Sequence, residues 1–202
     1  MADPKPSSSN TEVSKTEAAK TEMSSNESTN AQSSKAGFSL NDKLRGASGA
    51  FPKGTTIVTT LHEGRDAGMT VSAFSSLSLN PPLVMLSVGN RSSSLPKLVE
   101  GNPVAISVLA QGQAPLAQQF ARKGIDRFAG VKTQRTALDV PVISGCASWF
   151  TGTIESKTPA GDHTIVIVRV EDCDSDASVA PLLYQGGEFH CWPELGWRPS
   201  SI

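Results

Sequence analysis

Histidine, cysteine and tyrosine are scarce in this chain, at three, three and one among 202 residues. His62, His163 and His190 include no pair at the spacing that brings two imidazoles onto one metal. Cys146, Cys173 and Cys191 are odd in number, widely spaced and without a CxxC pair, so neither a thiolate metal site nor a disulfide framework is indicated. Free, buried thiols in a reducing cytoplasm are expected. The GxSxG elbow, the GxGxxG fingerprint and the P-loop are all missing. Asp162 and His163 are neighbours, and side chains of neighbours diverge at the start of a strand, which argues against a Ser–His–Asp relay. The net charge of −1 lacks the basic footprint of a nucleic-acid binder. No window approaches the roughly 20 apolar residues of a membrane helix.

Large apolar side chains are also missing from the first 36 residues, where nine Ser and four Thr stand with only Met1, Val13 and Met23. Such a stretch cannot bury enough surface to offset its chain entropy, so residues 1–37 are expected to be a disordered tail. The repeated KTE at residues 15–17 and 20–22 allows at most a fleeting helix. Five acidic residues and no Arg before Arg45 fit no transit peptide, and no apolar segment fits a secretory signal. Residues 38–202 have the size and composition of one domain with a core.

That domain reads mainly as strands. GTTIVTTL (54–61) is dense in β-branched residues, and HEGRDAG after it reads as a hairpin connection. MTVSAFSSLSL (69–79) alternates, with Met69, Val71, Ala73, Leu77 and Leu79 on one face and hydroxyls on the other. Phe74 and Ser75 interrupt the period, which predicts a bulge or bend there. LVMLSVG (83–89) and VAISVL (104–109) are further strands. A short helix follows Ser93 or Ser94, and a second spans QAPLAQQFARKG with Pro115 in its first turn and Gly124 as its stop. CASWFTGTIESKT and HTIVIVRVEDCD read as a strand pair around a PAGD turn. PLLYQGGEFHCW supplies a last strand. Sequential hairpins with two inserted helices indicate an antiparallel β-barrel with inserted helices.

Hydroxyls and small residues gather at three strand ends, in TTIVTT, GMTVSAFSS and SVGNRSSS. Arg91, Ser92 and Ser93 stand where a strand enters a helix, a place suited to a phosphate. Equally, the serines cap the helix and Arg91 is a surface charge.

GMTVSAFSSLSLNPPLVMLSVGNRSS, LAQQFARKGIDRFAGV and GDHTIVIVRV stand in the order and spacing of the flavin reductase-like family, and the chain resembles that family over roughly residues 48–190. The resemblance implies an FMN-binding split β-barrel, a homodimer, and an NAD(P)H:flavin oxidoreductase that serves a partner monooxygenase. It implies that Thr59 and Thr60 lie near the flavin, and that Thr70, Val71, Ser72, Ala73 and Phe74 line the ring, partly through backbone groups, followed by Ser75 and Ser76. Ser87, Asn90, Arg91, Ser92 and Ser93 would hold the ribityl chain and phosphate. Phe120 and Phe128 match positions that contact flavin or nicotinamide, with a core role as the alternative. Gly161, Asp162, His163 and Thr164 match the motif associated with the nicotinamide dinucleotide, and Tyr184 would reach the pocket rim. The Ser-rich tail and the ending HCWPELGWRPSSI depart from the pattern; Trp192 and Trp197 there would pack over a partner subunit, cover the pocket, or simply pack.

Hydride transfer asks the protein for position and electrostatics, not for an acid, base or nucleophile, which agrees with the missing catalytic constellation. Three readings of His163 stand together: a holder of the coenzyme, a proton donor, or a turn residue bonded to Asp162. The leading expectation is reduction of FMN or FAD by NADH or NADPH in the cytoplasm. The alternatives are a flavin-binding protein or sensor without turnover, and a flavoenzyme that keeps its FMN and reduces another acceptor.

Overall fold

The computed structural model describes residues 38–191. A helix α1 (Leu40–Gly49) leads into strands β1 (Lys53–Gly54), β2 (Thr56–His62), β3 (Arg65–Val71), β4 (Phe74–Leu79), β5 (Pro82–Gly89) and β6 (Pro103–Val108). Helix α2 (Ala114–Ala121) precedes β7 (Thr133–Arg135), β8 (Pro141–Ile143), β9 (Ser148–Ala160), β10 (His163–Ser175), β11 (Leu182–Gln185) and β12 (Glu188–Cys191). All strand pairs are antiparallel.

Seven strands form one sheet in the order β3-β2-β6-β9-β10-β5-β4. Its two edges, β3 and β4, are consecutive in the chain and separated only by Ser72 and Ala73. Three residue steps reach roughly 11 Å at most, so the sheet must curl until its edges meet. The Ser87 amide extends the β5–β4 ladder by donating to the Ala73 carbonyl at 2.9 Å, and across the seam the Ser92 hydroxyl, just beyond β5, lies 3.4 Å from the Met69 sulfur of β3. This is the barrel expected from strand order.

Alternation fills its interior. Val84, Leu86 and Val88 of β5 and Val166 and Val168 of β10 point inward, joining Val58, Met69, Val71, Val104, Ile106 and Ile154. A second cluster of Ile57, Leu109, Ala117, Phe120, Ile143 and Leu182 seats α2 against the sheet. Pro115 opens α2 as expected, but the helix ends at Ala121, with Arg122 already extended and Gly124 in the following turn at φ +74°.

Several expectations are corrected. The run 69–79 is not one strand: the break falls at Ser72–Ala73, and a register shift lies between Ser76 and Ser78. Beyond the break the inner face changes, so Leu77 is exposed and Leu79 is 94% exposed. Only Cys146 is buried; Cys173 and Cys191 are exposed. The segment after Ser94 is a single 3-10 turn, Leu95–Lys97, too short to carry an appreciable dipole. PLLYQGGEFHC folds as a hairpin, β11–β12, which pairs with β1.

Helix α1 went unread in the sequence. Ser39 caps it, with its hydroxyl accepting from the Asp42 amide and the Asp42 carboxylate accepting in return. It buries none of its residues, and its end is tied to the β11–β12 turn by Gly186 N–H to Gly49 O at 2.9 Å. Residues 1–37, Trp192 and Trp197 lie outside the described residues.

Candidate functional site

Gly161 and Asp162 form the tight turn between β9 and β10, with Gly161 at φ +63°. A two-residue hairpin turn needs such a φ at its first position, which glycine adopts without a Cβ penalty. The turn fixes the first residue of β10, His163, opposite Gly89, the last of β5. Asp162 and His163 bond directly, Nδ1 to Oδ1 at 2.7 Å. This bond holds the Asp162 carboxyl below the usual carboxylate range, helped by the charges of the imidazole and, least, of Arg91. With Nδ1 engaged, Nε2 is the nitrogen left to meet a ligand.

Asn90 joins the same turn. Its backbone amide donates to Asp162 O at 2.9 Å, and its side-chain amide donates to Gly161 O at 3.2 Å. Its Oδ1 accepts from the Thr164 hydroxyl at 2.9 Å. Asn90 therefore directs its side-chain oxygen and one amide N–H to the turn. Arg91 is exposed and makes no ion pair among the described residues. Ser92 turns the chain, its N–H donating to Gly89 O at 2.9 Å, and Ser93 is exposed.

The seam continues this shelf. Ser72 and Ala73 lie between strands, and no acceptor exists for either backbone amide among the described residues. Ser87 is half-buried beside them, while Ser75 and Ser76 are exposed on the β4 edge. Phe74 packs against the barrel core, its ring 5.3 Å from that of Phe150.

Other expected side chains are committed elsewhere. Thr59 is 0% exposed, and its hydroxyl donates to Pro141 O at 2.5 Å. Thr60 is buried and donates to Pro103 O at 2.7 Å. Thr70 donates to Ala117 O at 2.6 Å, tying β3 to α2. Val71 is core, so only its backbone can serve a ligand. Phe120 is 0% exposed and meets Phe128 edge-to-face at 5.0 Å. Phe120 thus takes the core role given as its alternative, and the hydroxyls of Thr59, Thr60 and Thr70 are bonded to carbonyls of the protein itself. Tyr184 sits on the three-stranded sheet, in a groove with Phe51 and the α1 residues Asp42 and Arg45.

One group escaped the sequence reading. Arg127 reaches from the loop after α2 to donate to Gly68 O at 2.6 Å and the Ser94 hydroxyl at 2.7 Å. Burial pushes its guanidinium pKa down. With Lys97, Ser93 and Phe128 it lines a cavity of about 230 Å³ next to the Arg91–Ser93 segment. The only sequence signal was a basic residue inside the matched stretch at 116–131.

The free amides at the seam, the unpaired Arg91 and the exposed hydroxyls suit a flat ring with an anionic arm, so these residues fit a flavin phosphate.

The model of the flavin reductase like domain matches residues 48–193. This chain belongs to the flavin reductase-like family. It is an oxidoreductase of flavin and nicotinamide chemistry, as its motifs led one to expect. An NADH:FMN oxidoreductase of Rhodococcus qingshengii is 37% identical over 159 residues, covering 75% of this chain and 82% of its own. The reductase component of the flavin-dependent trigonelline monooxygenase of Acinetobacter baylyi is 35% identical over 148 residues, covering 73% of this chain; the chain spans only 48% of that relative's length. Among solved structures, an NADH:FAD oxidoreductase of Streptomyces globisporus, in complex with NAD and FAD fragments, superposes with a TM-score of 0.72 at 31% identity. That match covers 77% of this chain and 94% of the other. Among the described residues no helix is long and apolar enough to cross a membrane, and no cluster of three metal-ligating side chains occurs.

Proposed function

We propose that this protein transfers a hydride from NADH or NADPH to FMN or FAD, and hands the reduced flavin to a partner monooxygenase in the cytoplasm. The observation that carries this reading is the adjacency of two sites on one barrel end. The free Ser72 and Ala73 amides adjoin β5, and β5 runs directly into the Asn90–Arg91 corner that holds the Asp162–His163 turn.

In this reading the seam amides donate to the ring edge that gains negative charge, a preorganised electrostatic role. Arg91 and the Ser92–Ser93 segment hold the phosphate arm, and Lys97 and Arg127 add positive potential beside it. His163 presents Nε2 to the nicotinamide coenzyme, while Asp162 holds the ring. Flavin supplies the electron-accepting ring, and the protein contributes alignment at about 3–3.5 Å between the reacting atoms.

The assay is NADH oxidation with and without added FMN or FAD. Saturable dependence on free flavin supports the reading. Flavin binding without NADH turnover returns the protein to a binding or sensing role. A flavin that stays tightly bound through turnover overturns its release to a partner oxygenase.

The assembly in this reading is a homodimer. Helix α1 leaves Phe38, Leu40 and Leu44 exposed, with Phe51 beside them, an apolar surface that a second copy would cover. Light scattering at micromolar concentration tests this, and a monomer would refute it.

A further inference from the structure

We infer that Asn90 is a positioning residue for the coenzyme turn, a latch that sets where His163 points without touching either ligand. The inference rests on the proposed role of the Gly161–His163 turn. The ladder between β5 and β10 ends at the pair Gly89–His163. Beyond it the turn, closed by the Ala160–His163 pair of the β9–β10 ladder, would be loose on its β5 side, where Gly161 and Asp162 are exposed and Gly161 is conformationally permissive. Asn90 prevents this with three bonds in one place. Its N–H takes Asp162 O at 2.9 Å, its side-chain N–H takes Gly161 O at 3.2 Å, and its Oδ1 receives the Thr164 hydroxyl at 2.9 Å.

The geometry closes a ring of contacts. Thr164 is buried and rigid at the start of β10, so its hydroxyl orients the Asn90 amide. The oriented amide grips the carbonyl of Gly161, and the next residue's carboxylate bonds the His163 ring at 2.7 Å. The ring also lies over Gly89, whose missing side chain would otherwise sit 3.7 Å from Nε2. Arg91 follows Asn90 directly, so the same corner carries the phosphate-side cation and the coenzyme-side histidine. Only the coenzyme side depends on the Asn90 side chain.

The test uses the full chain. Flavin-free protein is titrated with NAD⁺ by calorimetry and with FMN by fluorescence quenching, and steady-state NADH kinetics are measured separately. Losing the neutral hydrogen bonds of one side chain corresponds to roughly a five- to tenfold change. Asn90→Ala should therefore weaken NAD⁺ binding and raise KM for NADH by roughly five- to tenfold, with FMN affinity and kcat within about two-fold of the parent. Amide hydrogen exchange at residues 161–163 should speed up. Thr164→Val, which removes only the donor to Asn90 Oδ1, should shift NAD⁺ binding the same way. In the double variant Asn90→Ala/His163→Ala, NAD⁺ binding should be no weaker than in His163→Ala alone.

An FMN affinity that falls in step with NAD⁺ affinity overturns the latch, as do unchanged NAD⁺ binding in Asn90→Ala or multiplied effects in the double variant. His163→Ala separates the two ideas. If it leaves NAD⁺ binding unchanged, the role of the turn itself fails. If it weakens NAD⁺ binding and Asn90→Ala does not, the latch alone fails.

Discussion

Thr59→Val distinguishes a sealed structural hydroxyl from a cofactor contact. Thr59 faces the interior at 0% exposure, and its hydroxyl donates to Pro141 O at 2.5 Å across 82 residues of sequence. Valine keeps the shape and β-branching, so little cavity forms and the strand is undisturbed. What changes is the Pro141 carbonyl, which loses its hydroxyl donor in the buried interior. An acceptor left short in this way costs about 1–3 kcal/mol. For a domain of this size that corresponds to a melting temperature lower by roughly 2–12 °C. The assays are calorimetric melting of the flavin-free protein and FMN titration by fluorescence quenching. The expected result is a lower Tm with FMN affinity unchanged. A loss of FMN affinity at unchanged Tm would refute the reasoning and restore the cofactor role implied by the family resemblance.

Further outcomes are expected elsewhere. Gly152→Ala should destabilise by at least about 3 kcal/mol in urea unfolding, because a Cβ there overlaps the Arg169 carbonyl in the β9–β10 ladder. Gly68→Ala places a methyl 2.8 Å from the Phe120 ring and should cost about 1–3 kcal/mol, recovered in part by Phe120→Leu. The Asp162 carboxyl should titrate below its ordinary value of about 3.9 by NMR and move toward it in His163→Ala. A depressed carboxyl contributes stability that is full above its unfolded value and fades as pH falls through the folded one, so the Asp162–His163 pair should persist from neutral pH down to about pH 4. Native thiol labelling should modify Cys173 and Cys191, while Cys146, buried and with its pKa raised by burial, should react only on unfolding.

Much of the fold was legible locally. Apolar, β-branched runs identified β5 and β10, and a turn was read at PAGD between β9 and β10. Pro115 marked the start of α2. The break inside 69–79 was legible only as a disturbance, two residues from where it lies. Periodicity reports which residues share a face but not which surface that face meets. Leu77 and Leu79 kept their apolar alternation and ended exposed because the chain had crossed the seam.

The candidate site divided in the same way. The Asp162–His163 neighbours, the Arg91 corner and the hydroxyl-rich strand ends were visible as residue types in order. Their partners were not. The Asn90 side chain meets Gly161 71 positions away, and Arg127 meets Gly68 59 positions away. Such pairings depend on strand order and register, which no local pattern contains.

By itself, then, the sequence determined the strand-rich class, the turn that presents His163, and the kinship carried by three ordered motifs, because these depend on local backbone preference and residue identity. The tertiary structure alone decided that β3 and β4 are opposite edges brought together, that the hydroxyls of Thr59 and Thr60 are sealed inside, and that Asn90 grips the Gly161–Asp162 turn. A link of two residues forces the sheet to close, and closure determines which hydroxyls are sealed against carbonyls and which amides stay free at the seam.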